Sequence, residues 1–239
     1  MHLSTLNIDL RLHPGDLPGF RACIAERAGF EHTGFHNHRP DRKDTDRDWT
    51  YPLIQYAVRR GKATVIGLGD GAAAIRQHLL PKMEGSLTFA GQTHPITGFE
   101  CRDMSYIPEI LPENQPFVLS GWLALHKHNY GSWKAAASEA ERLELLSRAL
   151  TGHLRCFAEA MGVPDHKAVV GRILRVDGQK KISWHGVSLV RFDVLATANL
   201  LPPTGIGLGR AAAFGFGEVC DAARYERWRN GRLAELEMV

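Results

Sequence analysis

A chain of 239 residues, 44% hydrophobic and 23% charged, can bury cores of ordinary globular size as one large domain or two small ones. Its net charge of +3 permits a polyanionic partner but is far weaker than a charge signature that would demand one. Four scattered cysteines (Cys23, Cys101, Cys156, Cys220) form no CxxC pair, no apolar run approaches the ~18 residues of a membrane span, and the N-terminus lacks a leader pattern, so a cytoplasmic protein without a disulfide framework is expected.

Leu3, Leu6, Ile8, Leu10 and Leu12 recur mostly at alternate positions and predict a half-buried strand. Pro14-Gly15 breaks it, and Leu17 to Ala28 reads as a short helix closed by Gly29. Glu31 to Asp48 is polar, with His32, His36 and His38 followed by balanced charges, and reads as an exposed loop. Tyr51 to Arg59 and Ala63 to Leu68 form a predicted hairpin around Arg60-Gly61-Lys62. A helix is expected over Ala72 to Leu80, stopped by Pro81, with strands at Ser86 to Phe89 and Ile96 to Ile107. The order is βαββαβ, that of a ferredoxin-like unit.

Pro108, Pro112 and Pro116 mark a boundary, giving domains over 1–114 and 115–239. The second begins with a strand, Phe117 to Leu125, and a long helix, Ser138 to Met161, with Leu143, Leu146, Leu150, Leu154 and Phe157 on one face. Strands at Ala168 to Val176 and Lys181 to Ala196 are expected around an Asp177-Gly178 turn. A glycine-rich stretch follows, then a short strand at Phe216 to Val219. The fold class is therefore α+β: two tandem ferredoxin-like domains, the second with a C-terminal glycine-rich loop where the first has a helix. For Asp221 to Val239, with four arginines, Tyr225 and Trp228, helix and strand both remain open.

Several stretches could carry chemistry. Gly67-Leu-Gly-Asp-Gly-Ala72 satisfies GxGxxA, but a dinucleotide site needs a parallel βαβ unit and an acid about 20 positions on. The strand before it belongs to a hairpin and the next, ending Thr88 to Gln92, has no acid, so a tight turn explains it better. His36 and His38, two apart, share one face of an extended backbone. Paired imidazoles can remove and deliver protons near neutrality, as attack by an RNA 2′-hydroxyl requires, without a metal. Surface histidines without a role, or metal ligands together with His32, are the other readings. Tyr51 stands at the mouth of its strand, able to donate a hydrogen bond or simply to cap a core. His126-Lys-His-Asn-Tyr130, with Trp133 and Lys134, suits base stacking and phosphate neutralisation, or is a plain polar loop. In Leu201 to Val219, five glycines (Gly205, Gly207, Gly209, Gly215, Gly217) surround Arg210. Backbone N–H groups and a guanidinium can grip phosphate; a flexible turn is the alternative.

Phe35-His-Asn-His38, the charged loop, Tyr51-Pro-Leu-Ile-Gln-Tyr56 and a glycine-containing turn resemble the N-terminal half of CRISPR-associated repeat-processing endoribonucleases. These are the sixth Cas family, within the repeat-associated (RAMP) superfamily. Gly205-Ile-Gly-Leu-Gly-Arg210 with Gly215-Phe-Gly217 resembles that superfamily's glycine-rich loop, and Leu150-Thr-Gly-His-Leu154 another of its segments. The resemblance covers nearly the whole chain. It implies selective binding of CRISPR repeat RNA and metal-independent cleavage leaving a 2′,3′-cyclic phosphate, with no cofactor. Carried over, the catalytic residues fall on His36, His38 and Tyr51, and the RNA grip on the five glycines and Arg210. Two positions depart: Ala57 where many relatives have lysine, and His153 where they often have asparagine. Subunits of a CRISPR effector complex and a second copy of the chain are further expected partners. A non-catalytic RNA-binding subunit of such a complex is the alternative function.

Overall fold

The computed structural model describes residues 1–36, 50–184 and 186–237. The chain forms two compact units: Met1–Ile107 with Ala213–Gly215, and Pro108–Ala212 with Phe216–Val239.

In the first unit, strand β1 (His2–Arg11) turns Leu6, Ile8 and Leu10 into the core, as the alternation predicts. Helix α1 (Leu17–Ala28) adds Phe20 and Ile24 and closes at Gly29. β2 (Ile54–Arg59) and β3 (Lys62–Leu68) form the expected hairpin, although β2 starts at Ile54 rather than Tyr51. Helix α2 (Asp70–Ala74) begins two residues early and continues as a π-turn over Ile75–Leu79 and a 3-10 turn over Leu80–Lys82 that contains Pro81. β4 (Ser86–Phe89) and β5 (Gln92–Pro95) form a ribbon that the sequence reading missed, and β6 (Phe99–Ser105) replaces the longer strand expected from Ile96. Ala90 and Gly91 both take positive φ, 51° and 73°, as a two-residue hairpin turn needs. An Ala-Gly pair is a weak turn signal, so β5 was not visible beforehand. The sheet order is β2-β3-β1-β6 with every pairing antiparallel. Because β3 runs antiparallel to both neighbours, Gly67 to Ala72 lacks the parallel unit that a dinucleotide site requires.

The second unit repeats that order. β7 (Gln115–Trp122), α3 (Lys127–Ala135), α4 (Glu139–Ala160), β8 (Gly171–Trp184), β9 (Val187–Ala198), β10 (Glu218–Asp221) and α5 (Ala222–Glu237) build a sheet β10-β7-β9-β8, again antiparallel throughout. At the start of α4, Ser138 accepts from the Glu141 N–H at 3.2 Å while the Glu141 carboxylate accepts from the Ala137 N–H at 2.8 Å, a reciprocal cap. Leu146, Leu150, Leu154 and Phe157 form its buried stripe. Ser147 fixes the helix to β8 by accepting from the Ile173 N–H at 2.9 Å.

Three expectations are corrected here. The hairpin does not turn at Asp177-Gly178: β8 runs through them with a register shift, and the strands reverse between Trp184 and Val187. The buried Asp177 carboxylate is instead paired with Arg175 and Arg229. The stretch from His126 is not a loop but leads into α3, whose start is set by Asn129 accepting from the His126 N–H at 2.6 Å. The C-terminal segment is helical, capped by Asp221 accepting from the Arg224 N–H at 2.7 Å. No helix among the described residues is long and apolar enough to cross a membrane.

Candidate functional site

In the first unit, His36 ends a 3-10 turn, Thr33–Phe35, that is anchored from several sides. Phe35 is buried, and its carbonyl accepts from the Tyr56 hydroxyl at 3.0 Å. Burial holds the Tyr56 phenol well above its ordinary pKa, so it stays a neutral donor. The His32 ring stacks on His78 at 3.5 Å between centroids, and Phe30 stacks on His36 at 5.4 Å. Arg21, from α1, donates to the His36 carbonyl and lies over the Phe214 ring, 4.9 Å from its centroid. Burial lowers the Arg21 pKa, yet an arginine stays cationic at any working pH. The structure thus gathers His36, Arg21, Phe30 and Phe214, a histidine with a fixed cation at its backbone.

His38 lies outside the described residues. Tyr51 is buried, and its hydroxyl accepts from Gln55 Nε2 at 2.7 Å. Among the described residues no group of three or more His, Cys, Asp or Glu is gathered as a metal site, so His32 has no such ligand set there. Arg21 and Phe214 escaped sequence reasoning. Arg21 carried one signal: at four positions after Leu17 and three before Ile24, it interrupts the apolar face of α1.

In the second unit the glycine-rich stretch is an ordered hairpin. Gly205 N–H bonds to Val219 O at 2.7 Å, Val219 N–H to Ile206 O at 2.8 Å, and Leu208 N–H to Gly217 O at 2.9 Å. Ile206 and Leu208 are buried, while Gly207 bridges to Glu218. The glycines are needed for close approach. Gly209 has φ of +92°, and a Cβ there would fall 2.6 Å from Trp122 Nε1 and 2.9 Å from His153 Nδ1. At Gly217, φ +70°, it would fall 2.0 Å from the Leu208 carbonyl oxygen. Arg210 donates to the Leu125 carbonyl at 2.9 Å. Gly215 belongs to the first unit, where its backbone packs against Ala57.

Trp122 Nε1 donates to His153 Nδ1 at 3.2 Å. Burial, then the charges of Arg210 and His126, push the His153 pKa down to about 4. Trp133, a candidate stacking ring, instead packs edge-on against buried Phe192 at 5.4 Å.

Residues 1–101 match the model of the Cas6b N-terminal domain and residues 113–222 that of the Cas6b C-terminal domain. A crystal structure of Cas6b aligns over 93% of this chain and 100% of its own, at 21% identity and a TM-score of 0.79. A second, of the CRISPR RNA processing endoribonuclease Cas6b, covers 92% of this chain and 99% of its own at 19% identity and TM-score 0.63. Csf5, a type IV Cas6 crRNA endonuclease, covers 92% of this chain and 98% of its own at 14% identity and TM-score 0.50. No curated protein matches the chain. These matches define the class first: a CRISPR RNA-processing endoribonuclease with a mixed α and β fold. Within that class, the chain belongs to the Cas6b family.

Proposed function

We propose that this endoribonuclease binds CRISPR precursor RNA and cuts it within each repeat by attack of a ribose 2′-hydroxyl on the adjacent phosphorus, without a metal. The P–O5′ bond breaks, the 5′-oxygen takes a proton, and a 2′,3′-cyclic phosphate remains. His36 and His38 exchange the two protons, and Tyr51 positions the phosphate. The two units, each with its fourth strand beside the first, are read as ferredoxin-like domains. The glycine hairpin and Arg210 hold the RNA backbone.

The observation that carries this reading is the fixing of His36. Arg21 holds its carbonyl, Phe30 stacks on its ring and Phe35 anchors the preceding turn, so an imidazole able to titrate near neutrality is oriented beside a permanent cation. The test is to incubate the protein with labelled repeat RNA in EDTA. Cleavage should persist, end in a cyclic phosphate, and slow by ~100-fold in His36→Ala. Cleavage abolished by EDTA overturns the metal-free mechanism. Tight binding with no product identifies an RNA-binding subunit instead.

A further inference from the structure

We propose that Trp122 and His153 form an uncharged latch that sets the backbone of the glycine hairpin for RNA, making both of them positioning residues. The inference rests on the reading of that hairpin as the RNA grip, and it gives a role to a histidine that the proposed chemistry leaves unused.

The indole N–H can only donate, so His153 Nδ1 must present its lone pair and Nε2 must carry the ring proton. The hydrogen bond therefore exists only while the imidazole is neutral. Burial keeps it so at any pH near neutrality, with Arg210 and His126 acting in the same direction. A neutral ring also adds no charge beneath Arg210.

The latch acts on the hairpin by direct contact. The Cβ position of Gly209 lies 2.6 Å from Trp122 Nε1 and 2.9 Å from His153 Nδ1, so the bare backbone rests on the hydrogen-bonded pair itself. On the other arm, the Cβ position of Gly217 lies 3.1 Å from Trp122 Cδ1. One indole thus supports both arms. Trp122 closes β7 and His153 sits in the interior of the 22-residue helix α4, so the support comes from regular elements. Arg210 follows Gly209 directly, so where the latch sets that glycine, it sets the start of the one cation in the hairpin. A segment held in its binding conformation loses less entropy when a ligand arrives.

The experiment compares His153→Leu, which removes the acceptor, His153→Asn, whose amide oxygen can stand where Nδ1 does, and Trp122→Phe, which removes only the donor. Hydrogen exchange at the Leu208, Gly217 and Val219 amides is read without RNA. Affinity is read with labelled repeat RNA bearing 2′-O-methyl sugars, which cannot be cut. Cleavage of unmodified repeat RNA is read at saturating protein, and melting is recorded for each variant. In H153L and W122F, exchange should speed by about 10-fold and affinity fall by about 10-fold, with cleavage at saturation within about twofold of the parent. H153N should restore affinity to within about threefold. The W122F/H153L pair should be no weaker than the worse single change, because both break one contact. Faster exchange with unchanged affinity overturns the inference and leaves a packing contact. Unchanged exchange overturns it outright. Failure of the parent protein to bind repeat RNA refutes the RNA grip instead, while the exchange data still report on the latch.

Discussion

At the scale of single residues, what separates this chain's histidines is what surrounds them. His36 was legible from its type and spacing, because an imidazole two positions from another is a chemical pattern. Its fixing was not legible, since Arg21 is fifteen positions away and Phe214 lies near the opposite end of the chain. Arg21→Lys keeps the charge but loses the planar fork and the flat face laid over Phe214, so it should slow cleavage by about 10-fold while repeat affinity stays within about threefold. Single-turnover rates at saturating protein check this, and an unchanged rate would remove Arg21 from the site. His153 behaves in the opposite manner. Its folded pKa of about 4 lies below its ordinary 6.5, so the native state holds it neutral while the unfolded chain protonates first as the medium acidifies. The stability it contributes is complete above pH 6.5 and is lost as pH falls through 6.5 to about 4, amounting to about 3 kcal/mol. Urea titrations across that range should show an acid limb that flattens in His153→Asn.

At the scale of elements, the strongest local signals were read correctly where backbone sterics alone decide. Helix α1 ends at Gly29, where φ is +117°, and α4 starts one residue after its Ser138 cap. Misreadings arose where distant partners decide. Asp-Gly is a strong hairpin signal, yet Asp177-Gly178 stays within β8 because the Asp177 side chain, 5% exposed, is claimed by Arg175 and by Arg229 of α5. Arg175 also pairs with Glu226, and Arg229 with Glu226 at 3.5 Å, so a four-residue ionic network binds α5 to β8. The two carboxylates raise the Arg175 pKa further above its already high value. Arg175→Ala leaves a buried carboxylate with one cation fewer. Because the Arg175 side chain is 38% exposed, solvent screening reduces the loss to about 1–2 kcal/mol, rather than the larger cost of a fully buried pair. Thermal melting should fall by about 3–6 °C, and the Arg175→Ala/Asp177→Ala double variant should recover part of it. Equal losses in the single and double variants would mean that the pair itself contributes nothing.

At the scale of the whole molecule, one strand order is used twice with different equipment. In each unit the last strand lies beside the first, which places the first and third strands at the centre and leaves their flanking connections free to vary. That much of the architecture was legible, since strand and helix order follow from periodicity and from proline and glycine punctuation. The connection between the third and fourth strands is where the units diverge, a helix continued by a π-turn in one and the glycine hairpin in the other. A net charge of only +3 means that a general positive field cannot supply much RNA affinity, so individual cations must be placed where phosphates lie. Arg210 is such a cation: one guanidinium nitrogen is spent on the Leu125 carbonyl, which fixes the side chain, and a guanidinium has donors beyond that one. Each phosphate contact on single-stranded RNA contributes about 0.7 to the slope of log affinity against log salt. Arg210→Ala should therefore weaken repeat binding and lower that slope by about 0.7, most visibly at low salt where the counterion term is largest. Arg224→Ala, on the outer face of α5, serves as a control for the loss of one positive charge as such. If Arg210→Ala and Arg224→Ala change the slope equally, binding follows overall charge and the glycine hairpin holds no phosphate; a change confined to Arg210→Ala locates one contact there.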